Sequence, residues 1–406
     1  MSIATRMLLA AAILSLGSLS WAATLSVGQP NTNCPGAIYG TITAAVNAAS
    51  PGDTIEICPA TYAEQVLITK PLSLIGVNAN GVGRVLVQPS TMSPVGGLSS
   101  EAVITVMNTY GVTIKNLAVD ASKNGTSGCA VPVAVIHYYN ASGDVESNAL
   151  SGALVSDPTN CATLLPLGSG FGVQVDSSGS GSFRVNVANN SIHDYTRNGV
   201  LARGAGIVVT VNGNTISGIG PSVGVYQFGV FLENGPVGVI ANNTITEGLC
   251  GALSLTDCKS ARSEGVTLRS PGNGTVVENN VITNAQSGIF INGGSQMIIR
   301  NNTIRNIQGY DGIDIQGTAS GSFTQSLIQG NTIFNVTPIG DYGCGIWEDS
   351  GTGVAGNLID GTTVNDAYCG VAYVEADHVL PGDYNNALYL LLDTDANPTN
   401  PPPTEP

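Results

Sequence analysis

Charge is scarce in this chain, and positive charge most of all. Charged residues make up 10% of the 406 positions, against roughly 25% in an average globular protein. Thirteen Lys and Arg face 28 Asp and Glu, which leaves a net charge of -15. So acidic a chain has no electrostatic footprint for a polyanion, which argues against nucleic acid as a partner. With three His and no CxxC pair, a nitrogen- and sulfur-rich metal centre has little to draw on. Beyond the N-terminus, no apolar run is long enough to span a bilayer.

What is present begins with an export signal. Residues 1–22 pair Arg6 with an apolar run from Met7 to Leu19 and close on Ser20-Trp21-Ala22; this predicts cleavage after Ala22 and a secreted, periplasmic or cell-surface protein. Eight Cys in an exported chain imply disulfides. Cys34 with Cys58 would tie the entry strand to the first coil, Cys250 with Cys258 would close one loop, and Cys129 with Cys161 remain. The last 14 positions, 393–406, carry Pro and acidic residues without an apolar pattern and read as a disordered tail.

The body of the chain repeats. An Asn turn followed by an apolar pair recurs at Asn190, Asn214, Asn243, Asn280, Asn302, Asn331 and Asn357, at steps of 24, 29, 37, 22, 29 and 26 residues. A Gly followed by an apolar-x-apolar strand recurs at Gly172, Gly199, Gly229, Gly265, Gly288, Gly312, Gly345 and Gly370, interleaved with the Asn turns. Each period holds at least two short strands at a sharp corner, with no room for an amphipathic helix of ordinary length beside them. Such a unit cannot bury its apolar positions alone and must stack on its copies. Cys344 and Cys369 each precede the Gly of their strand, so stacking places them in one column about 4.8 Å apart, within reach of a disulfide. Before the first regular coil, Ile42, Ala45, Val46 and Ala49 follow Thr41 at helical spacing; a short capping helix is predicted there.

These motifs resemble the right-handed parallel β-helix proteins of the pectin-lyase-like superfamily, with NosD-like repeats, over roughly Thr41 to Leu392. The resemblance implies an all-β solenoid with an N-terminal capping helix, filling 23–392. In that family the corner Asn residues bond to their equivalents one coil away, and an Asn corner suits the left-handed backbone region. The opening segment resembles that of pectinesterase-like helices, whose Gln-Asp-Thr and Gly-Arg-Pro-Trp motifs do not follow here.

Alternation then sorts the Gly strands into columns. The position after Gly, from Val173 to Val371, is the core. The second position points outward and carries Phe231, Phe290, Asp314 and Trp347; the fourth, also outward, carries Asp176, Arg203, Glu233, Arg269, Asn292 and Asp349. A row of exposed Phe231, Phe290 and Trp347 edged by Arg203, Glu233, Asn292 and Asp349 suits a polysaccharide, whose apolar faces stack on rings. The resemblance implies that long loops at one corner wall this sheet, and the matching loops here run from Ser217 to Phe228, Thr246 to Glu264 and Thr337 to Tyr342. Asp176, Arg203, Glu233 and Arg269 also alternate in sign, as in a charge ladder. His137, in an apolar run, reads as a packed or hydrogen-bonded residue, and His193 and His378 as solvated.

Tyr310-Asp311-Gly312-Ile313-Asp314 resembles the Asp-Gly-Ile-Asp portion of polygalacturonase-type hydrolases, which implies Asp311 and Asp314 as acid and base; the companion Gly-Asp-Asp, Gly-His-Gly and Arg-Ile-Lys motifs are missing. A lyase would need Arg269 or Arg203 as charge stabiliser, with calcium on Asp311, Asp314, Asp341 or Asp349. The sequence thus supports a monomeric β-helix that binds, and as an enzyme cleaves, an acidic extracellular polysaccharide. A non-catalytic adhesion module and an export accessory stand as the alternatives.

Overall fold

The computed structural model describes residues 22–28, 34, 36–77, 84–125, 131–155, 169–220, 226–249, 262–317, 323–338, 343–348, 354–355, 357–367, 369–372 and 378–379. The export signal up to Trp21, the acidic tail, Asp341, Asp349, and the pairs Cys129–Cys161 and Cys250–Cys258 lie outside them, as do parts of the three walling loops.

Three long parallel sheets of 13, 11 and 11 strands run the length of the molecule, with a three-stranded sheet added late in the chain. One coil passes through Phe171–Asp176 in a glycine sheet, Phe183–Ala188 in the 13-stranded sheet and Ser191–His193 in a third, then returns as Asn198–Arg203. Every strand pairs with its equivalent one coil away, as in Val200↔Val230 and Val230↔Val266. This is the parallel β-helix expected. The inner column Val173, Val200, Val230, Val266, Ile289, Ile313, Ile346 and Val371 is buried throughout. Each such side chain contributes about 1.5–3 kcal/mol, against about 0.2–1 kcal/mol for a pair in a charge ladder, so the coil is held from within.

Glycine is required in its column by close approach. A Cβ on Gly288 would lie 2.4 Å from the Gly312 carbonyl oxygen and 2.4 Å from Ile304 Cγ2, and Gly265 and Gly312 meet the same two obstacles. The backbone also turns there. Gly288 N and Ile289 N, consecutive donors, both bond to the next coil, at 3.2 and 3.0 Å, whereas a regular parallel strand sends only alternate N–H groups to one neighbour. The residue before Gly therefore faces outward together with the second residue after it. Phe228 and Phe231, three apart, have ring centroids 5.0 Å from each other.

The Asn ladder is real, with its roles divided between two residues. Left-handed φ falls on the position before the ladder residue, as at Asn189 (57°), Asn242 (57°) and Asn301 (55°). The ladder Asn is buried and bonds along the stack. Asn214 N and Nδ2 donate to Asn243 Oδ1 at 2.9 and 3.0 Å, and Asn243 repeats this on Asn280 at 3.0 and 2.9 Å. The row runs from Asn148, a corner before the regular repeat begins, to Asn331, whose N donates to Thr362 Oγ1. Asn357 is not its next member. It precedes the strand Leu358–Asp360 of the 13-stranded sheet and accepts from Ser326 N at 3.1 Å, one corner earlier in the coil.

At the N-terminal end the helix Ile42–Ala48 caps the stack. Thr41 accepts from Ala44 N, and Glu64 accepts from Ile42 N and Thr43 N at 2.8 and 2.9 Å, which satisfies first-turn donors. Cys34–Cys58 and Cys344–Cys369 are bonded, with Cα separations of 6.1 and 4.4 Å. Among the described residues no helix is long and apolar enough to cross a membrane.

Asn243→Ala leaves two buried donors of Asn214 without their acceptor. At about 1–3 kcal/mol for an orphaned buried group, a clear fall in the thermal midpoint is expected by circular dichroism; an unchanged midpoint would show that the ladder contributes nothing.

Candidate functional site

The outer face of the glycine sheet is built from three columns: the residue before Gly, and the second and fourth after it. Reading across the coils, the first of these supplies Phe171, Asn198, Phe228, Glu264, Ser287, Asp311 and Cys344. The second supplies Leu201, Phe231, Thr267, Phe290, Asp314 and Trp347.

The exposed aromatic row expected from the sequence is covered. Phe231 and Phe290 point away from the coil interior, yet are 3% and 6% exposed. The cause is arginine stacked on the rings. Arg269 lies 5.5 Å over Phe231 and Arg262 lies 5.6 Å over Phe290, while Arg197 caps Tyr226 and Phe228 at 5.9 and 5.5 Å. Phe171, Leu201, Phe228 and Phe231, with Tyr226, form a second apolar cluster outside the solenoid core. Trp347 remains half-buried against the Cys344–Cys369 disulfide.

The fourth column forms the ladder of alternating sign. Arg203 Nε meets Asp176 Oδ1 at 3.1 Å and Arg269 Nη1 meets Glu233 Oε1 at 3.4 Å. Asp176 and Glu233 are buried and their arginine partners only partly so. Arg203, Glu233 and Arg269 thus hold the platform; Asn292 stands half-buried at its edge. Arg269, expected among the catalytic groups, is committed to Glu233 and the Phe231 ring.

Asp311 and Asp314 are brought together with Glu264, Arg262 and Tyr310. Glu264 is 3% exposed; its Oε2 accepts from Thr267 Oγ1 at 2.5 Å and its Oε1 lies 3.5 Å from Arg262 Nη1. Arg262 also lies 4.8 Å over the Tyr310 ring. Asp311 Oδ1 accepts from Gly343 N and Cys344 N at 3.1 and 2.7 Å, while its Oδ2 is buried without a hydrogen bond among the described residues. Gln316 Nε2 reaches Asp314 Oδ1 at 3.4 Å. Glu264 and Asp311 share the column before Gly, two coils apart; the signal for Glu264 was therefore in the sequence, hidden by strict alternation.

Burial pushes all three carboxyls up. Asp314 lies well above the usual carboxylate range, through burial first and then the charges of Asp311 and Glu264, with Arg262 opposing. Glu264 is raised by burial and restrained by Arg262, Thr267 and Arg269. Asp311 is raised by burial, against the two backbone donors. Burial would pull Arg262 down, but Glu264, Tyr310 and Asp314 outweigh it and hold it cationic. The arrangement sets carboxyls in unequal environments side by side, Asp314 pushed well up and Glu264 restrained by its Arg262 partner, which is the kind of separation that acid–base chemistry on one bond uses. For calcium, Asp341 and Asp349 lie outside the described residues, and among those described no three His, Cys, Asp or Glu side chains gather as a metal set.

A raised carboxyl favours the folded state while protonated, so its contribution is complete below about pH 4, its unfolded value, and is lost as pH rises through the folded value. Asp314→Asn removes that loss. The thermal midpoint of the variant relative to the unaltered protein is expected to climb between pH 4 and pH 8; a constant difference would show that Asp314 ionises freely.

A family model for the right-handed β-helix region matches residues 102–364. No curated protein sequence matches the chain. Among solved structures, the lacto-N-biosidase of Eubacterium ramulus is 10% identical with a TM-score of 0.54, covering 91% of this chain and 67% of the enzyme. The Dettilon tailspike protein is 13% identical with a TM-score of 0.48, covering 84% of this chain, which spans 62% of the tailspike. The A-module of an Azotobacter vinelandii mannuronan C-5 epimerase is 14% identical with a TM-score of 0.44, covering 84% and 94%. At these identities the likeness is one of fold. With the family model spanning more than half its length, the chain belongs to the right-handed β-helix family.

Proposed function

We propose that the outer face of the glycine sheet binds an acidic extracellular polysaccharide and hydrolyses it at Glu264, Asp311 and Asp314. The observation that carries this reading is the buried carboxyl cluster beside Arg262. Asp314, held protonated, serves as the general acid that gives its proton to the leaving glycosidic oxygen. Glu264, paired with Arg262, acts on the opposite side of the sugar as base toward water or as nucleophile. Asp311, fixed by Gly343 N and Cys344 N, sustains the proton on Asp314 through its charge. Arg262, on the same face, offers a cation to a uronate carboxylate, which lets a protein of net charge -15 accept an acidic polymer.

Trp347, half-buried at the edge of the cluster, offers a stacking surface for a neighbouring sugar. Export is supported by the two disulfides, which belong in an oxidising compartment. A carbohydrate partner is also compatible with the lacto-N-biosidase among the structural neighbours.

A reducing-end assay on a panel of uronate polymers, with and without a calcium chelator, tests the reaction. Asp314→Asn and Glu264→Gln are each expected to lower the rate about 10²–10⁴-fold, the usual contribution of a positioned acid or base. No product from any polymer would sink the hydrolase, and unsaturated product would replace it with a lyase. Polysaccharide affinity gels test binding separately. Retarded migration that Trp347→Ala weakens is expected, and retardation without product on any polymer would leave a binding module.

A further inference from the structure

The same face carries a second polar centre toward its N-terminal end, on the strands Glu101–Met107, Val133–Tyr139 and Phe171–Asp176. There a cavity of ≈ 190 Å³ is lined by Ser100, His137, Tyr139, Gln174, Asp176 and Arg203, with Leu98, Pro132 and two further serines. Ser100 Oγ lies 3.1 Å from His137 Nδ1, and His137 Nε2 lies 3.1 Å from Asp176 Oδ2. The three residues come from successive coils but from different positions along their strands: the register pairs His137 with Thr105 and Gln174, Asp176 lies opposite Tyr139, and Ser100 directly precedes the strand Glu101–Met107, so that their side chains converge on the cavity.

The direction of these bonds follows from Asp176. Burial would raise its carboxyl, but His137, Arg203 and Gln174 hold it below the usual range, so it is an acceptor only. His137 meets this acceptor with a proton on Nε2, and in the neutral form of the ring the Nδ1 lone pair is then left for the Ser100 hydroxyl. A hydroxyl bonded to a neutral imidazole that is itself oriented by a carboxylate is an activated nucleophile. Two features go beyond what a structural network needs. Gln174 Oε1 is buried beside the cavity with no hydrogen bond among the described residues, and Arg203 brings a guanidinium to the cavity wall.

We propose that Ser100, His137 and Asp176 form an acyl-transfer site that hydrolyses esters of short carboxylic acids. The cavity falls below the ~300–1,000 Å³ of a drug-sized ligand pocket and fits a short acyl group on a larger alcohol that stays outside. Ser100 Oγ attacks the acyl carbon and forms a C–O bond while its proton passes to His137 Nδ1. The carbonyl π pair moves onto oxygen, with Arg203 as the facing cation. Collapse of this intermediate breaks the ester bond, and the departing alkoxide takes the proton from Nδ1. Water then repeats the sequence on the acyl-serine, releasing the carboxylic acid and restoring Ser100. The inference does not rest on the polysaccharide reading, since its site, bonds and reaction are separate.

The test uses the full chain and two probes. With a fluorophosphonate, covalent labelling located by peptide mapping is expected at Ser100. With p-nitrophenyl acetate, turnover is expected that Ser100→Ala abolishes and that Asp176→Asn, which presents the wrong imidazole tautomer, lowers about 10²–10⁴-fold. Circular dichroism reports whether each variant is folded, and labelling of the unaltered protein decides the matter where one is not. Absence of label at Ser100, or equal turnover by a folded Ser100→Ala, would overturn the proposal.

Discussion

Everything in this molecule depends on consecutive coils lying one strand spacing apart and in register. Two residue types enforce that spacing from different sides. Glycine permits it where the carbonyl of the next coil and a branched side chain of the third sheet would collide with any Cβ. Asparagine requires it, because the amide that satisfies one coil's corner belongs to the next. The inner column of Val and Ile then supplies most of the free energy, and register follows. Side chains distant in sequence become neighbours at fixed separations, which is how Ser100, His137 and Asp176, or Glu264 and Asp314, come to share a site.

The outer face of the glycine sheet is unusual in being covered. A protein with so few cations places Arg197, Arg262 and Arg269 here, over aromatic rings and beside buried carboxylates. Ring and carboxylate together compensate the desolvation of each guanidinium. Arg197, almost fully buried and close to Arg269, is still pulled down to about 10. Three of the chain's few cations are thus gathered on one face together with buried carboxyls, and clusters of perturbed titratable groups of this kind mark candidate functional sites.

Much of this was legible before any coordinates. The interleaved Gly and Asn landmarks gave the coil, the helix after Thr41 followed from its spacing, and Cys344 and Cys369 paired because they shared a column. What escaped has a physical reason in each case. Strict alternation placed the residue before Gly indoors, and the turn of the backbone at Gly put Glu264 outdoors beside Thr267. Phe231 and Phe290 were expected in solvent, since nothing in a column of residues announces that arginines from neighbouring positions will fold over them. Asn357 matched the corner motif but belonged to another corner, where Ser326 and Met297 precede it. Ser100 and His137 fall where the repeat is degenerate, so their coils could not be aligned by counting.

The asparagine row has a direction. Each side-chain amide gives one hydrogen to the Asn oxygen of the C-terminal coil and the other to a backbone carbonyl of the N-terminal one, while its own oxygen always accepts from the N-terminal coil, from Asn148 through Asn302 without reversal. The amide dipoles therefore point the same way along the axis, and each bond polarises the next. The row closes on the Thr362 hydroxyl, which takes the last amide's donors and can hand its own proton onward. The solenoid thus carries a filament of aligned dipoles beneath one edge, with opposite partial charges at its two ends.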